Sequence, residues 1–284
     1  MFAIVCTIFA ILVVFAFWVV LYDTHHFVVR KYRFSSPKIQ KNLRMVMMSD
    51  LHNYQYGREN KTLFDAIVEA SPDIIVIAGD MITANTKEKF DKTLEMLTKL
   101  NEQYPVYYAY GNHEQKISLY RDRYGDMGER FDAALKETGV RILRNARVEI
   151  PDTGVIINGL ELEHAYFQRF HTKPMADDYL QKLMGVPDKE KYQVLLAHNP
   201  EYFKEYAAWG ADLTLSGHIH GGIARLPFLG GVISPAIRFF PKYDGGLFEE
   251  YDAAMVLGRG LGTHTPKVRM FNPAELLVID LTSA

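Results

Sequence analysis

The sequence predicts an α/β domain, a largely parallel sheet covered by helices, behind one N-terminal transmembrane helix. Three observations predict it. Apolar strand-like runs alternate with helical stripes from residue 43 onward, an uncharged apolar run opens the chain, and polar residues recur where the strand-like runs end.

The 284 residues are 48% hydrophobic, enough for one sizeable core. Formal net charge is −2, and no strong basic stripe marks the region after residue 43, which argues against duplex nucleic acid as the main partner. The single cysteine, Cys6, lies in the apolar run, so neither a disulfide framework nor a thiolate metal site is expected.

That run, FAIVCTIFAILVVFAFWVVL (2–21), has no charge and no proline. At about 1.5 Å per residue it makes a helix about 30 Å long, the thickness of a bilayer core. No Lys or Arg precedes it and no small-residue cleavage site follows at YDTHH, so residues 1–22 read as a retained anchor rather than a cleaved signal. Residues 23–42 read as a basic juxtamembrane linker, and 43–284 as the functional domain. Arg30, Lys31, Arg33, Lys38, Lys41 and Arg44 face one acid, Asp23, which by the positive-inside rule puts the domain on the cytoplasmic side. The same cations suit anionic lipid head groups.

The elements follow in order. LRMVMMSD (43–50) is a strand, ENKTLFDAIVEA (59–70) a helix with Leu63, Phe64, Ile67 and Val68 on one face, and PDIIVIAGD (72–80) a β-branched strand. KEKFDKTLEMLTKL (87–100) is a helix, and PVYYAYGNHE (105–114) a strand and glycine turn. Short strands follow at 140–145, 146–150 and 154–162. YQVLLAH (192–198) is a strand, NPEYFKEYAAWG (199–210) a helix capped by Asn199 and ended by Gly210, and ADLTLSGH (211–218) a strand. AAMVLGRG and LLVIDL supply two more. The loop 223–246 is apolar with three prolines, and reads either as a substrate lid or lipid-dipping segment, or as a packed cover on the sheet edge.

Asp50 and His52, Asp80, Asn112 and His113, His198, and His218 and His220 follow successive strands. Sites in open α/β sheets form beyond the carboxyl ends of strands. Side chains two apart on extended backbone point the same way, so Asp50/His52 and His218/His220 can each aim two donors at one region. Glycines at 79, 111, 217, 221 and 222 allow sharp turns there. Carboxylate, imidazole and amide donors without thiolate favour Mn²⁺, Fe or Zn²⁺, and there are enough of them for two ions about 3.5–4 Å apart.

Asp50-x-His52, Gly79-Asp80, Gly111-Asn112-His113-Glu114, His198 and Gly217-His218-x-His220, in this order, resemble the calcineurin-like metallophosphoesterase superfamily. LAHNPEYF, ADLTLSGHIHGG, RLPF and NPAELLVIDL are similar to its membrane-associated bacterial branch of YkuE- and YaeI-like phosphoesterases. Two features depart from that branch: Ile223 stands where Gln is common, and no twin-arginine signal is visible.

The resemblance implies a four-layer αββα sandwich whose two sheets meet at a metal edge. It implies two divalent metals, Mn²⁺ first. Asp50, His52 and His220 would hold one, Asn112, His198 and His218 the other, and Asp80 both, with His113 beside the leaving oxygen. It implies hydrolysis of a phosphodiester or pyrophosphate, lipid-linked or nucleotide-lipid, in the manner of a UDP-2,3-diacylglucosamine pyrophosphatase. Arg121, Arg123 and Arg225 are loop cations that either meet substrate or stand solvated. A protein phosphatase is disfavoured because GDMITAN (79–85) lacks the Asp-Arg-Gly element. A general small-molecule phosphodiesterase is one alternative. A tethered metal-binding scaffold without turnover is another, though a scaffold has no need of His113.

Overall fold

The computed structural model describes residues 1–284 except 88, 169–170, 223–224, 227–229, 233–239 and 264–267. Two six-stranded sheets stack face to face. The first runs β1 (Phe27–Ser36), β14 (Ala274–Ser283), β2 (Leu43–Met48), β3 (Ile74–Ala78), β4 (Val106–Ala109), β5 (Arg141–Ile142). The second runs β12 (Gly246–Glu250), β13 (Ala253–Leu257), β9 (Leu213–Ser216), β8 (Tyr192–Ala197), β7 (Val155–Leu160), β6 (Ala146–Ile150). A small ribbon pairs β10 (Arg225–Leu226) with β11 (Gly230–Gly231).

Strands β2 to β5 are parallel, as are β7, β8, β9 and β13, so each sheet collects several carboxyl ends on one edge. Between the sheets lie Met45, Met47, Val76, Val194, Leu196, Leu215, Val256 and Leu277. Both faces of the central strands are covered, which is why these strands read as continuous apolar runs. Helices α2 (Lys61–Ala70), α3 (Asp91–Asn101), α4 (Asn112–Leu119) and α6 (Met127–Glu137) cover the outer face of the first sheet through Leu63, Ile67, Leu97, Ile117 and Phe131. Helix α7 (Tyr179–Met184) and helix α8 (Phe203–Trp209) cover the second through Leu180, Tyr206 and Phe203. The result is the αββα sandwich. A short helix, α5 (Arg121–Tyr124), follows α4.

Helix α1 (Phe2–His25) is long and apolar enough to cross a bilayer, with a mean hydropathy of 3.1 over its most apolar window. The stretch 23–42 corrects the expectation of a linker. Residues 27–36 form β1, paired in parallel with β14 along its whole length. Its alternation was masked by the cations Arg30, Lys31 and Arg33. Tyr32 and Phe34 pack on the core between the sheets, while Phe27 packs on the core beneath the helices. Arg30 pairs with Glu275, Lys38 with Asp212 at 2.6 Å, and Arg44 with Asp280 at 2.7 Å. Much of the basic cluster is thus used inside the domain.

The strand expected over 140–145 is only the two residues of β5. Helices α4 to α6 and strand β12 were not anticipated. The helix expected over 199–210 opens as a single 3-10 turn at Pro200–Tyr202, with the Asn199 side chain accepting the Glu201 N–H at 3.0 Å. In the 223–246 loop, Phe228, Phe239 and Ile223 lie outside the described residues.

Candidate metal centre

Every strand-end donor singled out in the sequence lies on the shared carboxyl edge. Asp50 and His52 follow β2, Asp80 follows β3, Asn112 and His113 open α4 behind β4, His198 follows β8, and His218 and His220 follow β9. Three sets of donor atoms fall within 4.8 Å of one another: Asp50, His52 and His220; Asp80, His198 and His218; and His52, Asp80 and His113. Asp80 and His52 each appear twice, so the sets form one continuous cluster.

Distances define the core of it. His52 Nε2 and His220 Nε2 lie 3.1 Å apart, and His220 Nε2 is 3.3 Å from Asp50 Oδ1. His198 Nε2 is 3.0 Å from Asp80 Oδ2 and 3.9 Å from Asp50 Oδ1. His113 Nε2 and His52 Nε2 each stand 4.0 Å from Asp80 Oδ2.

Backbone shape makes this convergence possible. Asp50, His52, Asp80, His218 and His220 all have φ between 50° and 75°. That left-handed region costs a non-glycine residue roughly 1–2 kcal/mol, and such strain concentrates at functional sites. Two glycines make room for carboxylates. A Cβ on Gly111 would overlap Asp80 Oδ1, and one on Gly217 would overlap Asp50 Oδ2.

Hydrogen bonds then orient the groups. Asp80 Oδ1 accepts the His113 N–H at 2.7 Å, and Asp50 Oδ1 accepts the His218 N–H at 2.9 Å. The ring nitrogens divide into two kinds. His198 Nδ1 lies 2.6 Å from the Ala78 carbonyl, and His52 Nδ1 lies 3.3 Å from that of Ile82. A carbonyl only accepts, so each Nδ1 carries a proton and each Nε2 is the nitrogen left to meet a metal in place of a proton. His113 is the reverse. Its Nδ1 accepts the Ala84 N–H at 2.7 Å, so the proton of the neutral ring sits on Nε2, facing Asp80.

Electrostatics mark the cluster as cation-seeking. Burial pushes Asp50 up to about 6, helped by the Asp80 charge and opposed by His198. Burial also pushes Asp80 upward, but His198, His113 and His52 outweigh it and hold this carboxyl well below the usual range. Burial disfavours the charged form of His198, yet Asp80 and Asp50 lift it to about 10. The same negative potential suits divalent cations. Asn112 supplies a further fit: it is buried, and its Oδ1 has no hydrogen-bond partner among the described residues, as a spare amide donor to a metal would be.

Glu114 is the residue whose role sequence reasoning missed, although it stands inside the quoted Gly-Asn-His-Glu motif. One carboxylate oxygen accepts the N–H groups of Asp80 and Gly111 at 3.0 and 2.9 Å. The other accepts the Met81 N–H at 2.9 Å and the Tyr108 hydroxyl at 2.7 Å. Burial pushes it up to about 7, with the Asp80 charge adding to the effect and the Tyr108 hydroxyl opposing it. It ties the β3 and β4 exits together beneath Asp80.

Beside His52 and His113 opens a cleft of about 1010 Å³, lined also by Lys116, Leu119, Tyr120, Arg121, Arg123 and His164. Arg121 pairs with Glu129, and Arg123 lies 5.4 Å over the Tyr124 ring. Arg225 is not in this cleft: it pairs with Asp244 at 3.1 Å and is largely buried.

Buried carboxylates and imidazoles at the shared carboxyl edge of two facing mixed sheets make a metal-dependent hydrolase the class that fits. The chain belongs to the calcineurin-like phosphoesterase family, whose model matches residues 43–222. It is 30% identical over 264 residues to an uncharacterized metallophosphoesterase of Aquifex aeolicus, covering 91% of this chain and 93% of that one. It is 24% identical over 287 residues to UDP-2,3-diacylglucosamine pyrophosphatase LpxG of Chlamydia muridarum, covering 84% and 83%. It is 25% identical over 225 residues to phosphodiesterase YaeI of Escherichia coli, covering 78% and 75%. The protein is a metallophosphoesterase, a hydrolase of phosphoester bonds.

Proposed function

We propose that this protein cleaves a phosphodiester or pyrophosphate bond of a lipid-linked or nucleotide-lipid substrate, at a site for two divalent metals, Mn²⁺ first. Asp50, His52 and His220 would hold one metal, Asn112, His198 and His218 the other, and Asp80 would serve both. Bound cations of this kind neutralise phosphoryl oxygens and bring water to nucleophilic strength near neutral pH. The chain's own residues do the rest. His198 and His52 offer Nε2 lone pairs because backbone carbonyls hold their Nδ1 protons. His113 offers an Nε2 proton because the Ala84 N–H occupies its Nδ1, so it is placed to protonate the leaving oxygen rather than to ligate. That opposite assignment of tautomers is the observation that carries the reading.

The lipid part of the substrate rests on position. The tip of the 268–272 segment touches the apolar helix: Phe271 lies 6.4 Å from Phe15, and Val268 and Phe271 are exposed beside it. Asn272, next in line, donates to the carbonyl of His220 at 2.7 Å. A helix anchored in a bilayer therefore brings the metal edge to the lipid surface. The adjoining cleft, with Lys116 and Arg123 near Leu119 and Tyr120, suits a charged head group with an apolar tail. LpxG, a pyrophosphatase of such a nucleotide-lipid by its name, is among the relatives.

The test is Mn²⁺-dependent turnover by the full chain in nanodiscs, with UDP-2,3-diacylglucosamine beside bis-p-nitrophenyl phosphate. The lipid is expected to be the better substrate in kcat/KM, and Asp80→Ala should lower both rates by about a thousandfold. Equal turnover of the small diester, with none of the lipid, would favour the general phosphodiesterase suggested by the likeness to YaeI. Full activity in Asp80→Ala would overturn the two-metal reading itself.

A further inference from the structure

Two buried residues far along the chain hold the backbone of the first metal group. Asn272 is fully buried, and its side-chain amide donates to the carbonyls of His220 and Gly222, both at 2.7 Å. Gly221 lies between those acceptors at φ 71°, and a Cβ there would strike Asn272 Oδ1. Arg269 is 2% exposed. Its guanidinium donates to the carbonyls of Arg259 at 2.7 Å, Gly260 at 3.1 Å and Gly262 at 2.5 Å, and reaches that of His220 at 3.5 Å. The loop so held leads straight to the other ligand: the Gly262 N–H donates to the Asp50 carbonyl at 2.6 Å. One guanidinium and one amide thus clamp the turns that carry His220 and Asp50.

The clamp is itself held by the end of α1. Asp23, only 7% exposed, accepts the Asn272 N–H at 2.8 Å, and Thr24 Oγ1 accepts the Arg269 N–H at 3.2 Å. A carboxylate costs free energy to bury, and here it accepts a backbone donor from the very segment that supports the site. Among the described contacts of Asp80, Asn112 and His198, none involves α1, Arg269 or Asn272. Those residues are held by Glu114, Ala78 and neighbouring strand ends.

We infer that Asp23, Thr24, Arg269 and Asn272 are positioning residues for Asp50 and His220, so that the end of the anchor helix bears directly on their metal site and reaches the other only through the hydrogen bond from the His218 N–H to Asp50. The inference rests on the reading of Asp50 and His220 as ligands. Outer contacts of this kind typically change metal affinity by about 10–100-fold.

The test uses the full chain in nanodiscs, with Mn²⁺ titrated into metal-stripped protein and bound metal counted after dialysis. Wild type should bind two ions. Asp23→Ala and Asn272→Ala should keep one at wild-type Kd and weaken the other about tenfold or more. Asp23→Asn, which retains an acceptor oxygen, should recover most of the loss. Two ions at wild-type Kd in both alanine variants would overturn the inference, and so would equal weakening of both ions. If Asn272→Ala fails to fold, Asp23→Ala decides alone, since Asp23 meets that segment at its backbone. His220→Ala is the separate control: two ions at wild-type Kd there would sink the ligand assignment rather than the positioning role.

Discussion

Asp80 and His198 stand on strand exits braced by their immediate neighbours, whereas Asp50, beyond its own link to the Gly79 carbonyl, and His220 are braced from a distance by Arg269, Asn272 and the foot of α1. In the first case the braces are Glu114, spanning the β3 and β4 exits, and the Ala78 carbonyl under His198. In the second they are a guanidinium and an amide that reach across loops. The contrast teaches that one continuous cluster of donors can have two separable supports. Each support can then be broken without first breaking the other.

The largest effect is expected on the locally braced side. Both oxygens of Glu114 accept two donors, so Glu114→Gln would turn an NH₂ against two of them. A loss of about 3 kcal/mol is expected, read as a lower urea midpoint with an unchanged slope. A variant as stable as wild type would show that Glu114 does not brace the β3 and β4 exits. Next is His113→Gln. If its Nε2 proton serves the leaving group, kcat falls about a hundredfold while bound metal stays at two ions. Loss of an ion instead would make His113 a ligand and redraw the cluster.

The smallest effect is a reference far from the metal edge. Arg44 grips Asp280 through two hydrogen bonds, at 2.7 and 3.2 Å, and holds that carboxyl below its ordinary range. A lowered folded pKa stabilises at pH values above the ordinary carboxylate range and loses that contribution as pH falls through the folded value. Arg44 is 40% exposed at its side chain, so screening keeps the pair under about 1 kcal/mol. Asp280→Asn should therefore cost that little at pH 7, and the gap from wild type should close below about pH 4. A gap that widens in acid would contradict the sign.

Much of this was legible in the residues. The strand-end donors, their order and a largely parallel sheet covered by helices follow from apolar runs that stop at Asp, Asn or His, because buried parallel strands leave a plain apolar signature; the pairing of two such sheets in a sandwich came from the family resemblance. What was hidden had physical reasons. β1 was obscured because an edge strand tolerates cations on its open side, so Arg30, Lys31 and Arg33 read as linker. The left-handed backbone at Asp50, His52, Asp80, His218 and His220 carries no composition signal, since none of them is glycine. Arg269 and Asn272 lie nearly a chain length from Asp23, and spacing carries no information about such pairs. Glu114 was in view, but its four donors come from the β3 exit and from β4 with its exit, and they converge only in the folded chain.

The pairing of β1 with β14 has a consequence for how the protein is made. β14 lies between β1 and β2, so among the described strands β1 is hydrogen-bonded into its sheet only through a segment synthesised much later than itself. As the ribosome works, β1 waits, its edge open, for a partner. Such long-range closure is slow. A nascent chain of this kind has reason to engage a chaperone, and a stalled chain lacking β14 would leave β1 and β2 unjoined.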